Sequence, residues 1–218
     1  MAILYKELIK LRNMVLRLGS MVDQAIQDSV KSLVERKSDL AKKVIKRDQK
    51  INALDIEIDK ESIKLLALGP PKARDLRFIA TTMKITTDLE RIGDLSVNIA
   101  ERAIELNKEP QLKPYIDIPR MAKIVQEMVE DSLDAYVKGC TNLPYKVIKV
   151  ENEVDKLMEQ VSNELLFFII RDPHTTSRAI KIGHVAKYLE RIADHATNIA
   201  EMVIYMCGGK LVRHINVD

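Results

Sequence analysis

The chain has 218 residues, of which 46% are hydrophobic and 31% are charged, and its formal net charge at pH 7 is +3. This small net charge, without a recognition motif, argues against a nucleic-acid partner, because nucleic-acid binders concentrate basic residues on one face. The longest strongly apolar run, residues 165–170, is far shorter than the ~18 residues of a membrane-spanning helix. Two cysteines without a metal-binding spacing are typical of a reducing interior. These features predict a cytoplasmic protein that is not inserted in a membrane.

Apolar residues recur at helical spacing along nearly the whole chain, which predicts an all-α protein. The first helix is expected at about residues 4–36. Ser38 is the expected N-cap of a second helix, which ends at Gly69 because the two prolines that follow forbid its continuation. The third helix is expected at about residues 72–107.

Three prolines, at positions 110, 114 and 119, mark a linker after the third helix. The fourth helix is expected at residues 120–137, before Gly139, and the fifth at residues 144–170. Asp172 and Pro173 have the order of a cap and a first helical residue, so the sixth helix begins there and ends at the Gly208-Gly209 pair. Helices of about 30 residues span about 45 Å. Joined by short connections, they predict elongated bundles of antiparallel helices.

The two halves of the chain repeat one another. Residues 88–101 read DLERIGDLSVNIAE and residues 188–201 read YLERIADHATNIAE, with nine of fourteen positions identical. A weaker match joins KVIKRDQKIN, from residue 43, to KVIKVENEVD, from residue 146. Because both matches occur in the same order, the chain is predicted to be a tandem duplication of a three-helix unit, divided into residues 1–110 and 111–218.

Each copy carries a stripe of oxygen-bearing side chains on its last helix. At 100° per residue, four such side chains fall within about 80° of one another on the helical wheel. They are Glu90, Asp94, Asn98 and Glu101 in the first copy, and Glu190, Asp194, Asn198 and Glu201 in the second. Like charges four residues apart destabilise a helix by about 0.2–0.5 kcal/mol per pair. Both copies nevertheless have a Glu and an Asp at this spacing.

Two interpretations of the stripes compete. In one, each stripe is a solvated face on which Arg91 or Arg191 reduces the repulsion. In the other, the carboxylate and amide oxygens gather hard cations such as Mg, Mn, Ca or Fe. The second and fifth helices add further acids at the same spacing, so paired helices would present two acidic stripes to one another. These acids are Glu151 and Asp155 in the second copy, and Asp48 with Asn52, then Asp55 with Asp59, in the first.

Other features favour structural roles. His184 and His195 flank the second stripe and are expected to be structural, and the Glu-x-x-His pairs of di-iron bundles are absent from the third and sixth helices. The apolar run at residues 165–170 is expected to be core, with a dimer contact as the alternative. No phosphate-binding glycine loop, nucleophile elbow or zinc-protease motif is present, so nothing nominates a catalytic residue.

The repeated LERIGD and LERIAD motifs resemble the paired signature of the PhoU family of phosphate-uptake regulators. PPKARDLRFIATTMKITTDLERIGD, residues 70–94, is similar to that family's first signature over its whole length. The resemblance covers essentially the whole chain. It implies two three-helix bundles in a cytoplasmic protein, expected to form a homodimer.

The resemblance also implies a function. Family members act as negative regulators that restrain the phosphate-specific ABC transporter, through its ATPase, and its partner sensor histidine kinase. Their E/D-x-x-x-D motifs bind metal ions. Carried over, a metal such as Fe, Mg, Mn or Zn is expected at Glu90 with Asp94, at Glu190 with Asp194 and at Glu151 with Asp155, whereas Asn52 follows Asp48 in place of the second acid. A metal-dependent phosphohydrolase and a purely structural scaffold are the alternatives.

Overall fold

The computed structural model describes residues 2–68, 72–139 and 142–209. These residues form six α-helices and no strand, which confirms the all-α prediction. The helices are α1 (Ala2–Val34), α2 (Ser38–Ala67), α3 (Ala73–Leu106), α4 (Asp117–Lys138), α5 (Leu143–Arg171) and α6 (Thr176–Gly208). No helix in the described part of the chain is long and apolar enough to cross a membrane.

The helices form two three-helix bundles. Helices α1, α2 and α3 pack against one another, and so do α4, α5 and α6. The bundles meet mainly where α3 packs against α6, with α1 against α4 beside them. Equivalent residues of the two copies are buried alike: Leu89 and Leu189, and Ile92 and Ile192, are all fully buried. The predicted duplication is thus confirmed, while the division of the chain after residue 110 stays a prediction.

Several predicted helix ends need correction. Ser38 is the first residue of α2 rather than its N-cap, and Lys37 caps the helix without a side-chain hydrogen bond. The described part of α2 ends at Ala67, and the predicted stop at Gly69 lies outside the described residues. Helix α4 begins at Asp117, so Pro119 lies in its first turn. Backbone N–H groups of the first turn have no acceptor within the helix, so the N–H that proline lacks costs no hydrogen bond there. The predicted stops at Gly139 and Gly209 are confirmed, with φ of +80° and +67°.

The start of α6 is more complex than predicted. Asp172 caps a 3-10 turn, Pro173–Thr175, by accepting a hydrogen bond of 3.0 Å from the backbone N–H of His174. The α-helix follows at Thr176. The cap and the proline were therefore placed correctly, but the first turn is wound more tightly than an α-helix.

The apolar run at residues 165–170 is only partly core, so the prediction of a buried run is wrong. Leu165 is buried, whereas Leu166, Phe167 and Ile170 are exposed by 54%, 62% and 73%. A helix turns 100° per residue, so a run of six apolar residues covers its whole circumference, including the face that α6 and α4 do not cover.

Helices α1 and α4, which belong to different bundles, pack tightly at Gly19. A Cβ atom added at Gly19 would lie 2.2 Å from Cδ1 of Leu133, a residue of the other bundle. Gly183, in the first third of α6, has more room, because its Cβ would lie 3.6 Å from Leu165. The two glycines therefore differ in what an added methyl group would meet, although both lie inside helices.

We predict opposite effects for two glycine-to-alanine changes. Gly183→Ala should raise the free energy of unfolding by up to about 1 kcal/mol, because alanine favours helix over glycine. Gly19→Ala should lower it by about 1 kcal/mol, because the clash with Leu133 outweighs that gain. Urea denaturation of both variants measures the difference. Equal gains in stability would show that the contact between α1 and α4 is looser than described.

Candidate metal centre

The acidic faces of α2 and α3 lie against each other in the first bundle. The pKa of Asp48, on α2, is raised by burial and then by the nearby carboxylate of Asp94, on α3. The pKa of Glu90 is raised by burial and by Asp94, with smaller effects of Asp55 and Asp48 across the helix pair. We call the group formed by Asp48, Asn52, Asp55, Glu90 and Asp94 the first seam.

An equivalent group lies between α5 and α6. Burial, followed by the nearby carboxylates of Asp194 and Asp155, raises the pKa of Glu151 to about 7. The pKa values of Asp155 and Asp194 are both raised, first by burial and then by the nearby carboxylate of Glu190. We call Glu151, Asp155, Glu190, Asp194 and Glu201 the second seam. The predicted pairing of acidic helices therefore occurs in both bundles.

A glycine allows the helices of the first seam to approach closely. A Cβ atom at Gly93 would lie 3.2 Å from Cγ2 of Ile51 and 3.5 Å from Oδ1 of Asp48. The equivalent position in the second copy is Ala193, which is fully buried. The carboxylate of Asp48 therefore lies directly against the backbone of α3, where it is partly removed from water.

Two oxygen atoms in the first seam are buried without a hydrogen-bond partner. Asn52 donates a hydrogen bond from Nδ2 to Oδ2 of Asp48, at 3.0 Å, which leaves Oδ1 of each residue unpaired. Buried acceptors without a donor are rare in folded proteins because each loses its bonds to water. A hard cation bound by oxygen ligands would satisfy both atoms, so these residues fit a metal site.

The side chains in the described residues do not yet form a complete ligand set. No group of three or more His, Cys, Asp or Glu side chains within those residues converges closely enough to hold one ion. Amide and hydroxyl oxygens lie beside the carboxylates, and cations such as Mg²⁺ keep several water ligands when they bind proteins. The seams thus offer partial sites on each helix pair rather than closed cages.

Cationic side chains already reduce the repulsion in each seam. Arg91 lies 3.5 Å from an oxygen of Glu90 and 3.2 Å from one of Asp94. In the second seam Lys187 lies 2.5 Å from Glu190, whereas the equivalent residue of the first copy is Thr87. The pKa values of Glu90 and Asp194 nevertheless stay raised, so these cations compensate for the cluster only in part.

Three predicted ligands lie away from the seam contacts. The amide of Asn198 points toward the other bundle, where its Nδ2 lies 3.5 Å from Oδ1 of Asp88. Asn98 is half-buried on α3. Glu101 is exposed, and its carboxylate lies 3.9 Å from Arg102. Glu201 is buried and raises the pKa of Glu151, and its neighbour is Met202, which is itself buried. The matched glutamates of the repeat thus have different surroundings.

Several polar neighbours of the seams have no signal in the sequence pattern. The side chains of Thr86 and Thr197 lower the pKa of Asp55 and of Glu151, respectively, against the larger effect of burial. His195 is a structural residue, as expected, and its Nδ1 lies 2.8 Å from Oδ1 of Asp88 in the other bundle. The repeat gave no signal for Asp88, because Tyr188 is its equivalent in the second copy.

The fold and the seams define a class, the all-helical proteins made of two tandem three-helix bundles with paired acidic helices. A family model described as the PhoU domain matches residues 15–103 and again residues 118–203. The chain belongs to the PhoU family.

Individual relatives are similar over nearly their whole length. A protein of Aquifex aeolicus described as a phosphate-specific transport system accessory protein PhoU homolog is 42% identical over 214 residues, which cover 98% of this chain and 97% of that protein. The crystal structure of PhoU from Pseudomonas aeruginosa superposes with a TM-score of 0.91 at 36% identity, covering 94% of this chain and 99% of that one. The crystal structure of the phosphate transport system regulatory protein PhoU from Streptococcus pneumoniae superposes with a TM-score of 0.90 at 28% identity, covering 96% of this chain and 99% of that one.

We predict that the metal-free protein loses stability as the pH rises from about 4.5 to about 7. In that window the folded Glu151 carboxyl binds its proton more tightly than the unfolded one, so deprotonation favours unfolding. Glu151→Gln should remove much of this dependence. At about pH 8 it should be more stable than wild type by about 1 kcal/mol, a value discounted because the side chain is half exposed.

Urea denaturation in the presence of a chelator, at about pH 5.5 and about pH 8, measures this effect. Glu159→Gln, a change at an exposed glutamate of the same helix, is the matched control and should retain the wild-type pH dependence. An unchanged pH dependence in Glu151→Gln would contradict the description of the second seam.

Proposed function

We propose that this chain is a non-enzymatic accessory protein of phosphate-specific transport, which acts in the cytoplasm as a negative regulator. When phosphate is plentiful, it would restrain uptake by docking on the ATPase of the phosphate-specific ABC transporter and on the phosphate sensor histidine kinase. The observation that carries this proposal is the near full-length similarity to relatives described as accessory or regulatory proteins of phosphate transport. A homodimer is the proposed working unit.

The proposed role of the seams is to hold metal ions. Asp48, Glu90 and Asp94 would bind in the first seam, and Glu151, Glu190 and Asp194 in the second, with Asp155 at its edge. Oxygen ligands without cysteine suit Mg, Mn or Fe, and Zn also accepts carboxylates. A bound cation would supply positive charge to the partly buried carboxylates. The protein's own residues would fix the spacing of the two helices around it.

Metal binding is supported by the unfavourable electrostatics and unpaired oxygen atoms of the seams in the absence of a cation. The pKa values of Asp48, Glu90 and Glu151 are raised, and Oδ1 of both Asp48 and Asn52 is buried without a donor among the described residues. Purely solvated acidic faces would have ordinary pKa values and accessible oxygens. The seams would therefore respond to cation supply by changing how firmly the helices pair, because a group that binds only the folded state stabilises it.

The regulatory proposal predicts the phenotype of a deletion strain. Without the gene, phosphate-starvation genes should stay expressed in phosphate-rich medium, and a plasmid-borne wild-type copy should restore repression. Reporter expression in rich and poor medium measures this effect, and pull-down with the transporter ATPase and the kinase tests the contacts. Normal repression in the deletion strain would contradict the proposal. Turnover of phosphate esters by the purified, metal-loaded protein would instead support a phosphohydrolase.

The metal proposal predicts opposite signs with and without metal. The double variant Asp94→Asn/Asp194→Asn loses one charged ligand in each seam, so it should melt below wild type when Mn²⁺ is present. After chelation it should melt no lower, because the same changes relieve repulsion between carboxylates. Helix propensity differs little between Asp and Asn, so the fold should be retained.

The matched control for this pair is Asp39→Asn/Asp134→Asn, at two aspartates outside the seams that pair with Lys42 and Lys138. Its melting temperature should shift equally with and without Mn²⁺. Differential scanning calorimetry of wild type and both double variants, with and without Mn²⁺ at fixed pH, measures these shifts. A seam variant that gains stability under both conditions would contradict the metal proposal.

A further inference from the structure

A cavity of about 720 Å³ lies at one end of the junction between the two bundles. The beginnings of α1 and α3 and the ends of α4 and α6 form its walls, so both copies of the repeat contribute to it. Arg12, Arg74, Arg77 and Lys138 line it together with a single carboxylate among the described lining residues, that of Asp75. Lys138 already pairs with Asp134, at 2.5 Å, so the three guanidinium groups dominate the charge.

Arg12 lies in the cavity wall, and no acidic side chain in the described part of the chain pairs with it. Its guanidinium lies 5.6 Å from the centre of the Phe78 ring, which stacks on Tyr136 at 5.4 Å. The Tyr136 hydroxyl is fixed in turn by a hydrogen bond of 2.7 Å to Thr82. Nε of Arg12 is buried and has no hydrogen-bond partner. A buried, charged donor without an acceptor is unfavourable, which points to an acceptor that binds from the cavity.

The other two arginines add donors to the same cavity. Arg74 lies in the first turn of α3 and has no ion pair within the described residues. The N-cap residue of α3, Lys72, makes no side-chain hydrogen bond to the helix, so the first backbone N–H groups of α3 would be able to bind an anion. The only hydrogen bond of Arg77 in the described structure is a long one, 3.4 Å from Nε to the carbonyl oxygen of Met206.

At the opposite end of the same junction, the cationic side chains have hydrogen-bond acceptors or ion-pair partners within the protein. There the linker after α3 supplies acceptors: Arg36 bonds to the carbonyl oxygens of Asn107 and Glu109, at 2.9 and 2.6 Å. Arg178 and Lys181, at the start of α6, bind the carboxylate of Glu109, at 3.8 and 3.1 Å. Among the described residues, the protein therefore provides acceptors for the arginine and lysine side chains at one end of the junction and none for Arg12 and Arg74 at the other.

We propose that this cavity binds a phosphorylated small molecule, with its phosphoryl group between Arg12, Arg74 and Arg77 at the start of α3. Guanidinium groups bind phosphoryl oxygens through paired hydrogen bonds, and three of them suit a dianion better than a single carboxylate. The volume is that of a site for a small organic molecule rather than for a lone ion. Leu8, Ile9 and Met206 line the cavity and would contact the uncharged part of the ligand.

This site is separate from the seams and independent of the metal proposal. Sixteen residues of α3 separate Arg74 from Glu90, which is about 24 Å along the helix axis. Because its walls come from both bundles, a bound ligand would fasten the bundles together at this end. Binding would therefore raise the free energy of unfolding by RT ln(1 + L/Kd), where L is the ligand concentration, and this gain grows with the logarithm of L once L exceeds Kd.

Isothermal titration calorimetry of the full chain with AMP, inorganic phosphate and adenosine tests the proposal. We expect AMP to bind at millimolar or lower concentration and adenosine to bind at least about tenfold more weakly, because it lacks the phosphoryl group. Inorganic phosphate that binds as tightly as AMP would show that the phosphoryl group alone is recognised. Tighter binding of AMP would show that the cavity wall contributes.

Substitutions of single arginines test whether AMP binds in this cavity. Arg74→Gln, at an exposed side chain whose loss leaves the fold intact, should weaken AMP binding about tenfold, and Arg12→Gln at least as much. Arg17→Gln removes the same charge from an exposed position of α1 outside the cavity and should change affinity less than twofold. Absence of AMP and phosphate binding to wild type would overturn the proposal. Equal binding to wild type and Arg74→Gln would overturn it as well.

Discussion

The structure depends on how each bundle accommodates like charges between two packed helices. Asp48 and Asp94 in the first bundle, and Glu151 and Asp194 in the second, are held close together in a partly buried position by the apolar contacts around them. Ile92 and Ile192, which lie between the acidic residues on α3 and α6, are completely buried. Hydrophobic burial thus forces the carboxylates together, and the repulsion makes each helix pair sensitive to added positive charge.

The duplication explains why two such seams exist, and the differences between the copies indicate how they diverge. Lys187 pairs with Glu190 in the second seam, whereas Arg91 contacts both acids of the first. The unpaired oxygens of Asp48 and Asn52 occur in the first seam. Around the seams, the junction of α3 and α6 fixes the two bundles relative to each other through contacts such as the one between Asp88 and His195.

The repeat and the helical periodicity predicted the fold because both are properties of local sequence. They also predicted the pairing of acids across helices, since each copy has acidic residues at matching spacing. The contact of Asp88 with His195 was not predictable, because neither residue is repeated: the equivalent positions of the other copies hold Tyr188 and Leu95. Nor was the arginine cavity, whose side chains come from distant segments without a shared motif. The different environments of Glu101 and Glu201 depend on their neighbours, Arg102 and Met202, and not on the repeat.

The central claim is that both seams bind cations, and the most direct test is anomalous diffraction from crystals of the protein loaded with Mn²⁺. The account predicts anomalous peaks between α2 and α3, beside Asp48 and Asp94, and between α5 and α6, beside Glu151 and Asp194. Well-diffracting crystals that contain Mn²⁺ in solution but have no peak at either seam would contradict it.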